Sequence, residues 1–257
     1  MKWYSTEPSQ GKVDYSVPDA MLQFAKKNNV LVRGHNVFWD DPKHQQGWIN
    51  SLSPTDLSKA TTDRINSVIS RYRRQVICWD VNENLHINFF ESKLGQNASA
   101  VFYNLAQKFD GTWTLFLNEY NTIEDARDGD STPAKYLQKL RDIKAFPGNR
   151  NLKLGIGLES HFSSAAPNLA YMRASIDTLA ATNFPIWLTE VYVQRGPYQS
   201  SAGRTDGNGF FEASLSHGLY CVKIHHPSAK NSSLVQKLNV VSSTGAANQT
   251  VLIGFAA

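Results

Sequence analysis

Apolar residues along the chain fall into two alternating patterns. Short runs rich in Val, Ile, Leu and Trp occur at 30–39 (VLVRGHNVFW), 75–81 (QVICWDV), 114–120 (TLFLNEY), 153–158 (KLGIGL) and 185–193 (PIWLTEVYV), the length and composition of strands. The stretches 18–28, 53–72, 97–109, 132–145 and 167–182 instead carry apolar residues at helical spacing, several opening with Ser, Thr or Asn and a Pro. Apolar strands separated by amphipathic helices predict a parallel sheet buried on both faces, either a barrel or a doubly wound sheet.

The positions of the polar residues favour the barrel. Each predicted strand ends in polar or aromatic groups: His35, Asn36 and Trp39; Asn82 and Glu83; Asn118, Glu119 and Asn121; Glu159 and His161; Glu190. In a (β/α) barrel the strand C-termini converge on one rim, so these residues would share one cleft. A doubly wound sheet would more often carry a Gly-rich phosphate turn, and none follows the first strand. After residue 199 the pattern changes. The runs 210–215, 219–226, 234–241 and 250–256 are short strand candidates separated by Gly, Asn, Ser and Pro, and Tyr220, Val222 and Ile224 alternate with Cys221 and Lys223. A β/α region over 1–199 and a small antiparallel β region over 200–257 are therefore expected.

Composition narrows the partners. The 257 residues are 41% hydrophobic and 19% charged, the profile of a globular protein of one or two domains. The formal charge of +4 comes from scattered Lys and Arg, densest at 71–74 (RYRR), which reads as a solvated helix face and predicts no nucleic-acid partner. No apolar segment is long enough to span a bilayer, so no membrane partner is expected, and the opening MKWYSTEPSQ lacks the charged-then-apolar order of a signal peptide. Cys78 and Cys221 are too few for a disulfide framework, and Cys78 sits in an apolar run where a buried thiol is usual. His217, His225 and His226 have no carboxylate or cysteine at ligand spacing, so neither a metal nor another cofactor is expected. Acceptor sequences for N-linked sugar at Asn97, Asn231 and Asn248 fit a secreted glycoprotein.

The densest polar cluster is Cys78 to His86, CWDVNENLH, directly after an apolar run. Asp, Asn and Glu in such a place also serve as turn and cap residues. Carboxylates at strand ends suit glycoside hydrolysis, in which one carboxyl donates a proton and a second acts as nucleophile or base. Glu83, Glu119 and Glu190 all qualify by position, and spacing alone does not choose the pair.

MKWYSTE, VRGHNVFWDD, WDVNENLH, LFLNEYNTIE, GIGLESHF and WLTEV, in this order and spacing, resemble the plant members of glycoside hydrolase family 10, the retaining endo-β-1,4-xylanases. The resemblance covers residues 1 to about 199. It implies a (β/α)8 barrel with Glu83 as acid/base and Glu190 as nucleophile, and xylan or xylo-oligosaccharide as partner. It further implies that Asn82 donates to the sugar 2-hydroxyl, that His161 orients the nucleophile, and that Lys2, His35 and Trp39 lie on the glycone side, with Trp39 offering an apolar plane to a sugar face. Asn118, Glu119 and Glu159 are expected to support these residues by hydrogen bonding, and an extracellular or cell-wall location is implied by the same resemblance.

Two departures accompany it. The family pattern usually has one more residue between Trp-Asp-Val and Asn-Glu, and a one-residue deletion in a strand turns the residues beyond it to the opposite face unless a bulge or loop absorbs it. Only five of the eight strands are recognisable, so the expected fold is an incomplete barrel of about five strands. The two functional expectations are a retaining xylanase, impaired by truncation, and a non-catalytic remnant or xylan-binding fragment.

Overall fold

The computed structural model describes residues 1–194, together with the backbone of 218–225 and 233–240. The chain divides into two compact units, Met1–Gly196 and Pro197–Ala257.

The first unit begins with α1 (Trp3–Thr6) and α2 (Ser16–Lys27), then β1 (Phe38–Trp39), α3 (Gly47–Asn50), α4 (Pro54–Arg71) and β2 (Cys78–Glu83). It continues through α5 (Phe89–Leu94), α6 (Ala98–Phe109), β3 (Thr114–Glu119), α7 (Pro133–Ala145), β4 (Leu154–Leu158), β5 (His161–Phe162), α8 (Leu169–Ala180), β6 (Ile186–Leu188) and β7 (Tyr192–Val193). Helix starts obey the sequence signals. Ser53 caps α4 by accepting from Asp56 N, and Thr132 caps α7 by accepting from Lys135 N, each with Pro in the first turn. Helix α4 buries Leu57, Thr61, Arg64, Ile65, Val68 and Ile69, a stripe at three- and four-residue spacing that faces the sheet.

Five strands form one parallel sheet in the order β1-β2-β3-β4-β6. All of β2 and β4 is buried, as a sheet covered on both sides requires. This is the arc of an incomplete (β/α)8 barrel. The core between sheet and helices holds Phe38, Trp79, Val81, Phe90, Phe102, Tyr103, Leu115, Leu117 and Ile156, all at most 2% exposed.

Two expected strands are shorter than the apolar runs that predict them. Residues 30–39 run beside β2, with Ile77 N donating to Val32 O, Gly34 N to Cys78 O and Val37 N to Asp80 O, each at 2.9 Å. Only Phe38–Trp39 completes a ladder, and the His35–Asn36 peptide between the two stretches is cis. The 185–193 run divides into β6 and β7 around Thr189–Val191, and β7 pairs with β5 rather than with the main sheet.

The second unit contains an antiparallel hairpin, β8 (Gly218–His225) and β9 (Ser233–Val240), in register from Gly218↔Val240 to His225↔Ser233. The strands expected at 210–215 and 250–256 lie outside the described residues. Among the described residues no helix is long and apolar enough to cross a membrane.

Candidate active site

The site is built at the C-terminal ends of β1, β2, β3, β4 and β6, and its geometry turns on one irregularity in β2. Pairing with β3 runs Trp79↔Leu115 and Asp80↔Phe116, then skips to Asn82↔Leu117 and Glu83↔Asn118, so Val81 is an extra residue in a bulge. Trp79 and Val81 point into the helix-side core, whereas Asp80 faces Arg33 and His35 on the other side. After the bulge the alternation restarts with Asn82 on the helix side and Glu83 on the cleft side. The shift thus keeps Glu83 on the cleft side at the rim and turns Asn82 to the helix side. Asn82 is fully buried and donates to Asp40 Oδ2 at 2.7 Å, which leaves it unable to reach a sugar hydroxyl in this arrangement.

Glu83 is 2% exposed and is surrounded by donors: Asn36 Nδ2, His35 Nε2 at 3.0 Å from Oε2, and Lys2 Nζ at 3.5 Å from Oε1. His35 bridges the cleft. Its Nδ1 lies 3.1 Å from Asp80 Oδ2 and 3.8 Å from Glu190 Oε1. A ring whose two nitrogens face carboxylates donates to both only as the cation. Oxygen atoms of Glu83 and Glu190 and a nitrogen of His35 all lie within 4.8 Å of one another. Asp80 is in turn held by the Arg33 guanidinium, which spreads over the Phe116 ring at 4.4 Å.

Glu190 lies two residues beyond β6 and is oriented from two sides. Asn118 Nδ2 donates to its Oε1 at 2.9 Å, while Asn118 Oδ1 accepts from Thr189 Oγ1 at 2.6 Å, so the carboxamide is fixed at both ends. His161 Nε2 stands 3.6 Å from Glu190 Oε2 and 2.9 Å from Glu159 Oε2. Glu159 also accepts from Asn84 Nδ2 at 2.6 Å, and Asn84 Oδ1 accepts from Trp39 Nε1 at 2.8 Å, with the amide oriented to satisfy both neighbours. A continuous polar chain therefore runs from Trp39 through Asn84, Glu159 and His161 to Glu190.

Trp39 does not present a free plane. Its ring stacks on His44 with centroids 3.7 Å apart and planes 11° apart, and the Lys2 ammonium sits 3.5 Å from the ring centroid. Both cannot occupy one face at those distances, so each covers one. A sugar would meet the edge of the indole unless His44 withdrew. Glu119 points to the helix side of β3 and pairs with His86 in a buried contact behind the cleft, whereas Asn118 touches Glu190 directly.

Burial, opposed by His35 and Lys2 but reinforced by Glu190, raises the Glu83 carboxyl above its ordinary range. Burial and the carboxylates of Glu190, Glu83 and Glu119 push Glu159 up to about 9. Asp40, wholly enclosed with Asn82 and Phe90 N as its donors, is pushed up to about 7. Glu159, His161 and Glu190 also bring donor atoms within 4.8 Å, types a divalent cation accepts, although carboxyl-based hydrolysis needs none. The side chains of His217, His225 and His226 lie outside the described residues.

Sequence reasoning named Glu83, Glu190, His35, His161, Lys2, Asn118 and Glu159, and these come together here. It named Asn36 among the strand-end polar groups without giving it a role, and it passed over Arg33, Asp80 and Asn84. The signal for Asp80 and Asn84 was present in the cluster WDVNEN, whereas nothing local marks Arg33, which reaches β2 from 45 or more positions away.

A parallel β/α arc with acidic residues gathered at its strand C-termini is the arrangement of the β/α-barrel hydrolases. The chain belongs to glycosyl hydrolase family 10, whose sequence model matches residues 1–236. It is 50% identical over 202 residues to Endo-1,4-beta-xylanase 5-like of Arabidopsis thaliana, covering 78% of this chain and 35% of that protein. It is 48% identical over 201 residues to Endo-1,4-beta-xylanase 4 of the same plant, again covering 35% of the relative. The chain thus spans about a third of the length of these curated relatives. Among solved structures, xylanase 10B from Thermotoga petrophila in complex with xylobiose superposes with a TM-score of 0.67 at 20% identity, covering 77% of this chain and 61% of that one. The Thermobacillus composti GH10 xylanase gives 0.63 at 25% identity, covering 82% and 62%.

Proposed function

We propose that this chain carries the catalytic pair of a retaining endo-β-1,4-xylanase, with Glu83 as acid/base and Glu190 as nucleophile. The observation that carries the reading is the approach of a Glu83 oxygen and a Glu190 oxygen to within 4.8 Å across a cleft bridged by His35. Retaining enzymes hold their carboxyl groups about 5–5.5 Å apart, whereas inverting enzymes leave about 6.5–9.5 Å for a water. The raised Glu83 carboxyl suits a proton donor. Asn118 and Thr189 supply a fixed donor network for Glu190, as a nucleophile aimed at an anomeric carbon requires.

In the first step Glu83 protonates the glycosidic oxygen as the Glu190 carboxylate bonds to the anomeric carbon, and the C–O bond to the leaving sugar breaks. In the second, Glu83, now ionised, takes a proton from water, whose oxygen replaces Glu190 at the same carbon. Internal β-1,4-xylosidic bonds of xylan are the proposed substrate, and the 50% identity to plant proteins named xylanases supports that choice. Lys2 and His35 line the glycone side in this reading, and a cell-wall location accompanies it.

Two variants test the roles. Glu190→Gln is expected to abolish hydrolysis of both xylan and activated aryl xylosides. Glu83→Ala is expected to lose xylan cleavage by about 10²–10⁴-fold, the usual contribution of a general acid, yet still to be xylosylated by aryl xylosides with good leaving groups. Equal and mild losses in the two variants would reject the assignment.

A further inference from the structure

Asn97-Ala98-Ser99 is an acceptor sequence for N-linked sugar, and the other two, at Asn231 and Asn248, lie outside the described residues. The tripeptide sits where α5 gives way to α6. Gly95, at φ 93°, closes α5, and Asn97 is exposed at the N-cap of α6 with φ −90° and ψ 0°. An N-cap Asn ordinarily accepts from a backbone N–H of the first turn, as Asn168 does at α8. Asn97 makes no such bond, and its exposed carboxamide can carry a substituent without disturbing the helix.

Ser99 supplies the second, independent observation. Its side chain is fully buried and its hydroxyl has no hydrogen-bond partner. An unpartnered buried hydroxyl costs stability, and alanine, the better helix former, would remove that cost. Folding makes no use of this oxygen, whereas the acceptor sequence requires a hydroxyl two residues after Asn. Asn97 also lines a cavity of about 940 Å³ bounded by α5 and α7, where Gln96, Lys135 and Gln138 offer further polar groups.

We propose that Asn97 carries an N-linked oligosaccharide, attached before Ser99 is buried by the packing of α6. The donor is a polyprenyl-diphosphate-linked oligosaccharide of the secretory pathway. The bond from Asn97 Nδ2 to the sugar anomeric carbon forms, the C–O bond to the diphosphate breaks, and the amide proton leaves with the transferase base. The assignment is independent of the hydrolytic reading.

The full 257-residue chain, placed behind a cleavable secretion signal in a eukaryotic host, tests it. Mass spectrometry of the denatured chain reads the tryptic peptide Leu94–Lys108, so correct folding is not needed. Glycan at Asn97 is expected, lost in Asn97→Gln and Ser99→Ala and kept in Ser99→Thr. An unmodified Asn97 in chains whose signal has been removed overturns the proposal. A second measurement uses unglycosylated protein from bacteria: Ser99→Ala is expected to melt no lower than the parent, and a clear fall in Tm would show that the hydroxyl serves packing and overturn the argument.

Discussion

At the scale of single residues, the cleft concentrates more negative charge than its cations neutralise, and the consequence is a pH-dependent stability. Glu159 is 3% exposed and pushed up to about 9, first by burial and then by Glu190, Glu83 and Glu119. In the unfolded chain the same carboxyl titrates near 4.3. Between those values the folded chain holds the extra proton, so stability falls as pH rises through that window. Glu83, also raised, acts in the same direction, as does Asp40, pushed up to about 7. The melting temperature is therefore expected to be highest near pH 5 and to decline towards pH 9, with Glu159→Gln flattening the decline. A parent Tm that rises over this range would contradict the proton count. Which of these side chains would meet was legible only in part: Glu83, Glu119 and Glu190 stood out alike as strand-end carboxylates, the face taken by Asn82 depends on the β2 bulge, and the donor beside Glu83 turned out to be Asn36.

At the scale of elements, the β3–β4 ladder sets the aim of the proposed nucleophile. Gly157 lies opposite Asn118, and a Cβ there would stand 2.5 Å from Asn118 Oδ1 and 3.0 Å from Leu117 O. Only a residue without a side chain leaves Asn118 free to hold both Glu190 and Thr189. Gly157→Ala is expected to displace the carboxamide, to cost about 1–3 kcal/mol by overpacking and to lower xylan hydrolysis about tenfold or more, read by thermal melts and initial rates. Unchanged rates would mean that Asn118 does not position Glu190. The five longer helices were legible to within about three residues because each carries its own apolar stripe and start signals. The strands were less so. An apolar run records burial, but a ladder also needs a partner in register, and the breaks at 35–37 and 189–191 are set by β2 and β5 rather than by local sequence.

At the scale of the whole molecule, the edges of the parallel sheet decide behaviour in solution. Strands β1 and β6 each pair on one side only among the described residues. Helix α2, which Asp19 ties to Arg71 and Tyr72 at the end of α4, turns Val17, Met21 and Phe24 outward, and Leu31 is 76% exposed. Leu188, Val191, Tyr192 and Val193 are exposed at the β6 end. Large apolar side chains are worth about 1.5–3 kcal/mol each when fully buried, against a total stability of about 5–15 kcal/mol for an ordinary domain. Leaving eight of them in water removes a margin of the same size as the stability itself, and open strand edges pair with other chains. The 257-residue chain expressed alone is therefore expected to self-associate, to bind an apolar dye strongly, and to show xylan hydrolysis at least about 100-fold below a full-length relative, equivalent to about 3 kcal/mol in transition-state stabilisation. Light scattering across a concentration series checks the first expectation. Replacing Met21, Phe24 and Leu31 with Lys or Glu should raise the monomer fraction, because those side chains hold no part of the core and the change removes only the adhesive surface. A parent that stays monomeric at all concentrations, melts in one cooperative step and cleaves xylan at a full-length rate would mean that these edges are closed in solution, and would reject the prediction.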